Sequence, residues 1–471
     1  MRSESLTQSV ALGAMTALVL IVSTTIPRLA ATRPLGPERL LAIESGEDHI
    51  GTKELAERIL RGDQSLALID LRPAEEFAGF HLPGAVNLSL PELLGDQGKP
   101  WLTDPERLIV LCSNGPAHAG QAWIELQHRG VRNAKVLDGG LEQFRTDMLT
   151  PPSLLGADEA AAKAEAASFA LRRAWFLRGP TAPDARAGHH ASDPKELEGV
   201  AVVSVGWAAA RSAQVRFVDT RASAAEYAAW HLPGAVHLPA TAVRRKSGDQ
   251  DLFMHGADEL AQRFSQLGLT RTTPVVLYGE DKMQDLTLVA LALLRTGHAR
   301  LGVLEGGLLR WAAERQPLAS GTVPIAAAKY EPKPGADDFT IGIDELAREV
   351  GQKTVEILDV RPPEFFRGEK STEARPGRIP GSSNRPFAQD LVRTEDGHFF
   401  RKKDELLAEY QALGFEPKDR VVVSCRTGHQ ASESYFVLRY LLGYQDGRWY
   451  NGSWTEWAQR PDLPAETGGR K

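Results

Sequence analysis

Three times along the chain an apolar run closes on the same kinds of residue: 66–72 read LALIDLR, 215–221 VRFVDTR and 355–361 VEILDVR. Runs of this length, apolar without alternation and ended by charge, predict strands buried on both faces that stop at an Asp-x-Arg loop. Downstream of each, HLPGAVNL at 81–88, HLPGAVHL at 231–238 and RIPGSSNR at 378–385 set a Pro-Gly turn before a second short extended segment. A third landmark follows, LIVLCSNG at 108–115, VVLYGEDK at 275–282 and VVVSCRTG at 421–428, where a buried strand leads through a loop into a helix. The fourth is a glycine turn before an amphipathic piece: DGGLEQF at 138–144, EGGLLRW at 305–311 and NGSWTEW at 451–457. A self-similar unit has therefore been copied. Helical stretches at 259–267 and 434–442 alternate with these strands. The expected fold is α/β, three tandem domains, each a mainly parallel sheet flanked by helices.

Boundaries follow from where the pattern lapses. The first copy spans 46–150 and the second 195–320. Between them, 151–194 holds an Ala/Glu-rich helix-former (ADEAAAKAEAASFALRRA) and a Pro/Gly/His segment, which predicts a linker. A second linker, 321–336, carries three prolines from 324 to 334 and should be extended, and the third copy occupies 337–471. Residues 1–45 depart from all of this. Val10 to Val22 reads VALGAMTALVLIV, and no charge appears until Arg28, with Arg2 upstream. That pattern predicts an export signal or a membrane anchor, with a buried soluble helix as the other reading. The expected location is outside the cytoplasm, periplasmic or membrane-tethered.

Composition adds two constraints. With 42% hydrophobic and 25% charged residues and a formal net charge of −6, the chain is ordinary globular material with no basic excess to bind nucleic acid. Two cysteines in 471 residues are too few for a disulfide framework, which points to chemistry for Cys112 and Cys425. Cys425 should stand at the carboxyl end of its strand, where function gathers in open α/β sheets. The amides of the following CRTGHQ loop, a helix starting at about Ala431, and the side chains Arg426 and His429 would all favour negative charge, so a thiolate near neutral pH is expected.

The triple Asp-x-Arg, the His-x-Pro-Gly-Ala turn, the strand-Cys-loop-helix and the closing WYNGSWTEW together resemble the rhodanese family, in particular thiosulfate sulfurtransferases. The resemblance covers nearly everything after residue 46 and is strongest in the third copy. It implies covalent transfer: Cys425 takes the outer sulfur of thiosulfate or another sulfane-sulfur donor, sulfite leaves, and the persulfide lies among the loop amides of Arg426, Thr427, Gly428, His429 and Gln430. Cyanide, a low-molecular-weight thiol or a protein then accepts the sulfur. Arg426 suits a dianionic donor through paired hydrogen bonds, and mercaptopyruvate-using relatives usually have glycine there. Asp359 holds that arginine or the loop, and Arg361 is a second cation or a structural partner, since all three copies carry the pair. No cofactor and no metal is implied; His189-His190 lacks further ligands at metal spacing.

Alternatives remain. A phosphatase or arsenate reductase of the same fold would want arginine six places after the cysteine, where this chain has Ala431, and His118 after Cys112. A sulfur carrier or binding scaffold is credible for the weaker copies. The middle copy aligns Gly279 with the cysteine and adds Glu280 and Asp281. The first aligns Cys112 but lacks the arginine, and Pro116 removes a loop donor; its thiol is either a sluggish relic or a secondary sulfur site. His81 and His231 should satisfy turn backbone. Arg378, which replaces them in the third copy, should add positive potential at the cleft or face solvent. Trp449, Tyr450, Trp454 and Trp457 should form core and cleft wall.

Overall fold

The computed structural model describes residue 41 and residues 43–155, 159–177, 188–247, 250–280 and 282–469. The apolar segment 10–22 lies outside them. No helix among the described residues is long and apolar enough to cross a membrane. The described residues form two compact units, one of those before Ala56 together with Gln64–Asp147, the other of Ala56–Asp63 together with those from Met148 onward.

In the first unit β1 (His49–Ile50), β2 (Leu66–Asp70), β3 (Val86–Asn87), β4 (Leu108–Cys112) and β5 (Ala134–Leu137) make one parallel sheet in the order β1-β5-β4-β2-β3. Helix α1 (Pro116–His128) packs Ala119, Ala122, Trp123 and Leu126 onto it.

The second unit contains α2 (Glu159–Leu177), two parallel sheets and two antiparallel ribbons. Strands β6 (Gly199–Val203), β7 (Arg216–Asp219) and β8 (Val236–His237) precede an antiparallel ribbon of β9 (Arg244–Ser247) and β10 (Gln250–Met254), and β11 (Val275–Tyr278) and β12 (Arg300–Leu304) complete a parallel sheet ordered β6-β12-β11-β7-β8. The third copy repeats the plan: β13 (Glu356–Asp359), β14 (Ser383–Asn384), a ribbon of β15 (Leu391–Thr394) and β16 (Gly397–Phe400), then β17 (Val421–Ser424) and β18 (Gly447–Trp449), with parallel order β14-β13-β17-β18. The central strands are apolar on both faces, as a parallel sheet covered by helices requires.

Two helices tie these sheets together. α3 (Met283–Arg295) follows the middle copy's loop, and ten of its thirteen residues are buried. It lies against the helix that follows Cys425, and the hydroxyls of Thr287 and Ser432 share a 2.8 Å hydrogen bond across the contact. One apolar cluster runs through both, from Val218 and Leu277 through Leu288 and Leu291 to Val423, Phe436 and Leu438. Burying a leucine completely contributes roughly 1.5–3 kcal/mol, so this shared layer is a large part of the stability of both copies.

The 151–194 segment is more than a connection. Leu171, Ala174, Trp175 and Phe176 of α2 are buried, α2 packs beside α4 (Gly307–Ala313), and the Trp175 indole donates to the Gln316 carbonyl at 3.3 Å. Its alanine-rich stretch carries helix propensity, and the aromatic residues at its end supply the docking face.

Candidate active site

Register places the three loops. Asp359 lies opposite Ser424, Asp219 opposite Tyr278 and Asp70 opposite Cys112. The same main-chain bonds recur: Trp454 N–H donates to the Cys425 carbonyl, Leu308 to Gly279 and Leu141 to Ser113. Gly279 thus occupies the place of Cys425, as expected, but in the first copy Ser113 does so, and Cys112 sits one position earlier on β4. The matching letters of CSNG and CRTG conceal a loop one residue shorter, because α1 starts at Pro116. Cys112 is 1% exposed, and burial together with the neighbouring Asp70 carboxylate pushes its thiol far above the ordinary range. Its Sγ donates to the Val110 carbonyl at 3.9 Å, a core contact.

Cys425 follows β17 directly. Gly428, at φ +77°, turns the loop into α5 (His429–Phe436), which begins two residues before the expected start. A Cβ at Gly428 would meet the Asn451 carbonyl oxygen at 2.3 Å, so only glycine fits. The Trp449 indole donates to the Gly428 carbonyl at 2.8 Å and fastens the turn. The N–H groups of His429, Gln430 and Ala431 form the first turn of α5 and have no acceptor within that helix. Their dipoles favour an anion at the cysteine end.

A cavity of about 340 Å³ opens over this loop, lined by Cys425, Arg426, Thr427, His429 and Gln430 on one side. Phe365, Thr372, Glu373, Trp454 and Gln284 close it from other segments. Arg361 also lines it, while its Nε and Nη2 hold Asp359 at 3.0 and 2.6 Å and Nη2 donates to the Gly377 carbonyl. The same fork recurs in Arg72–Asp70 and Arg221–Asp219, each with a carbonyl from the turn ahead of the Pro-Gly pair, Phe80 or Trp230. The pair braces the fold in every copy, and in the third it also presents a guanidinium edge to the cavity, 5.2 Å over the Trp454 ring.

The sequence reading overlooked several groups. Ser453 accepts the Cys425 N–H at 3.0 Å and lies 4.0 Å from its Sγ. Its φ of +51° is the left-handed conformation that Gly140 and Gly307 take in the other copies. A serine where two copies keep glycine was the available signal, and the cost of that backbone is about 1–2 kcal/mol. Glu373 approaches Arg426 at 3.6 Å, and Asp285, from the middle copy, approaches His429 Nε2 at 2.7 Å, off the line of a hydrogen bond. Arg244 donates to the Thr427 carbonyl. No local pattern announces these, since each reaches the loop from a distant segment.

Other expectations resolve locally. His81 and His231 contact the Phe77 and Tyr227 carbonyls at 2.9 Å, as turn braces. Arg378 neither faces solvent nor lines the cavity: it is 3% exposed, donates to the Gly468 carbonyl and lies 4.3 Å over Phe366. The middle loop's Glu280 pairs with Arg221 at 3.7 Å, and Asp281 lies outside the described residues. Trp449, Tyr450, Trp454 and Trp457 are buried, and Trp454 forms cavity wall. His190 contacts the Arg401 carbonyl at 2.9 Å, and no group of three metal-type ligands occurs among the described residues.

The three-fold repeat matches a known family. The model of the rhodanese-like domain matches residues 52–147, 204–314 and 342–460. A provisionally named thiosulfate sulfurtransferase of Synechococcus elongatus is 33% identical over 280 residues, 57% of this chain and 86% of that protein. The sulfur carrier protein TtuD of Thermus thermophilus is 31% identical over 222 residues, 45% of this chain and 77% of that one. Among solved structures, an EanB variant held as a cysteine persulfide with ergothioneine superposes with a TM-score of 0.52 at 20% identity, over 90% of this chain and 100% of that one, a likeness of fold alone.

Proposed function

This chain belongs to the rhodanese family, with three rhodanese-like domains in tandem, and from that premise we propose that its third domain is a thiosulfate sulfurtransferase acting through Cys425. The observation that carries the reading is a single cysteine at the floor of a cavity, beyond its strand end and ahead of a helix N-terminus. A thiolate there attacks the outer sulfur of thiosulfate. The S–S bond breaks, its electron pair leaves with sulfite, and Cys425 keeps the sulfur as a persulfide. The α5 amides hold the charge on that outer sulfur, and Ser453 steadies the cysteine from behind. In the second half-reaction cyanide or a thiol attacks the outer sulfur and the thiolate returns. Arg426 is the side-chain partner for the donor's sulfonate oxygens.

The likeness to a named sulfur carrier supports a protein thiol as one acceptor. The charge-free segment 10–22 supports export, with the three domains outside the cytoplasm. The test is intact-mass measurement before and after thiosulfate, with cyanide as the chase. One added sulfur mapping to Cys425 and removed by cyanide is expected. Unchanged thiosulfate-dependent thiocyanate formation by Cys425→Ser would falsify the assignment.

A further inference from the structure

Both arginines that line the cavity already have a carboxylate partner, Arg361 in Asp359 and Arg426 in Glu373, and His429 lies beside Asp285. The Arg426–Glu373 pair differs from the others. The Glu373 side chain is 7% exposed and forms cavity wall, whereas that of Arg426 is 44% exposed on a long, adjustable stem. Glu373 is also held firmly. Two residues on, Arg375 donates to four main-chain carbonyls, those of Trp457, Ala458, Arg460 and Leu463, at 2.9 to 3.1 Å. Its own carbonyl accepts from the Trp454 indole, and Ser371 Oγ bonds back to it, so 371–375 is a pinned loop.

We propose that Glu373 is a specificity-determining residue, a fixed charge filter over Cys425 that competes with the donor for Arg426. The proposal rests on the sulfurtransferase reading of this site. A dianion entering the cavity must draw Arg426 away from Glu373, and it does so beside a carboxylate that cannot retreat. Repulsion between like charges in a partly dry cavity is stronger than in water. The filter thus selects by charge: dianionic donors enter at a penalty, and neutral donors or acceptors do not.

The experiment compares wild type with Glu373→Gln, using Glu369→Gln as control, because Glu369 is an exposed carboxylate of the same region paired with Arg367. Two readings are taken on the whole protein. In the first, Cys425 is alkylated with iodoacetate and with iodoacetamide and the ratio of rates is taken. The ratio should rise about three- to ten-fold in Glu373→Gln, the size of one partly exposed charge pair, and stay put in the control. In the second, the thiosulfate concentration giving half-maximal persulfide should fall by a similar factor. An unchanged alkylation ratio overturns the filter whatever the donor. A raised ratio with no persulfide from thiosulfate in either protein keeps the filter and removes the donor reading instead.

Discussion

Single residues carry two departures from ordinary behaviour. Ser453 holds a left-handed backbone where its counterparts are glycines, and its hydroxyl accepts the Cys425 N–H and lies 4.0 Å from the sulfur. Backbone strain of this kind persists where the surrounding structure enforces it, commonly at functional sites. Ser453→Gly should therefore leave thermal stability equal or higher while persulfide formation slows by about ten-fold, the loss of one modest hydrogen bond at the reacting end. Glu433 is the second. It is wholly buried on α5 with no hydrogen-bond partner for either oxygen among the described residues. Burial, and next the nearby Asp390, hold its carboxyl well above the ordinary glutamate value, against a smaller opposing pull from Arg385. Asp390, also raised by burial, accepts from Tyr410 and Ser434 and pairs with Arg385. Through Glu433 the native state thus retains a proton that the unfolded chain releases from about pH 4.3 upward, and stability falls as pH rises through that range. Glu433→Gln should remove its share of this slope, so its melting temperature should gain on wild type between pH 4 and pH 8.

At the scale of elements, the strand-loop-helix unit is one design with three outcomes. An apolar strand, a turn and a helix N-terminus recur, but the loop's length and glycine positions decide what is presented. The repeats were legible because buried parallel strands and Pro-Gly turns leave strong local patterns. The one-residue offset of Cys112 was not, because letter matching cannot count hydrogen-bond register. It predicts that Cys112 in the folded protein alkylates far more slowly than Cys425 and gains no sulfur from thiosulfate, which peptide mapping after a timed iodoacetamide pulse would reveal. Gly428 and Gly443 give a paired test. Both have positive φ, yet a Cβ at Gly443 meets nothing within 4 Å, whereas at Gly428 it strikes the Asn451 carbonyl. Gly443→Ala should cost about 1–2 kcal/mol and keep activity, while Gly428→Ala should displace the loop and abolish it.

The second and third domains act as one body. Their continuous core and the α3–α5 contact mean that the middle domain, with Gly279 at the cysteine position, supplies Gln284, Asp285 and Arg244 around the Cys425 loop. A fragment of residues 337–471 alone would expose α5 and the apolar face that α3 covers. It should unfold without a sharp thermal transition and bind a hydrophobic dye, whereas the full chain should melt cooperatively.

Order along the chain was enough to determine the three-fold repeat, the parallel α/β class, the cysteine at a strand end and its Arg-Thr-Gly-His neighbours. Such features arise from residues within a few positions of one another, and burial periodicity and turn chemistry record them locally. What surrounds that cysteine was decided only in three dimensions. Glu373, Asp285 and Ser453 reach the loop from other segments, Arg378 turns inward to hold the Gly468 carbonyl, and the sheet register puts Ser113, not Cys112, at the equivalent place. Contacts between residues distant in sequence depend on how packed layers meet, and no single stretch of sequence contains that information.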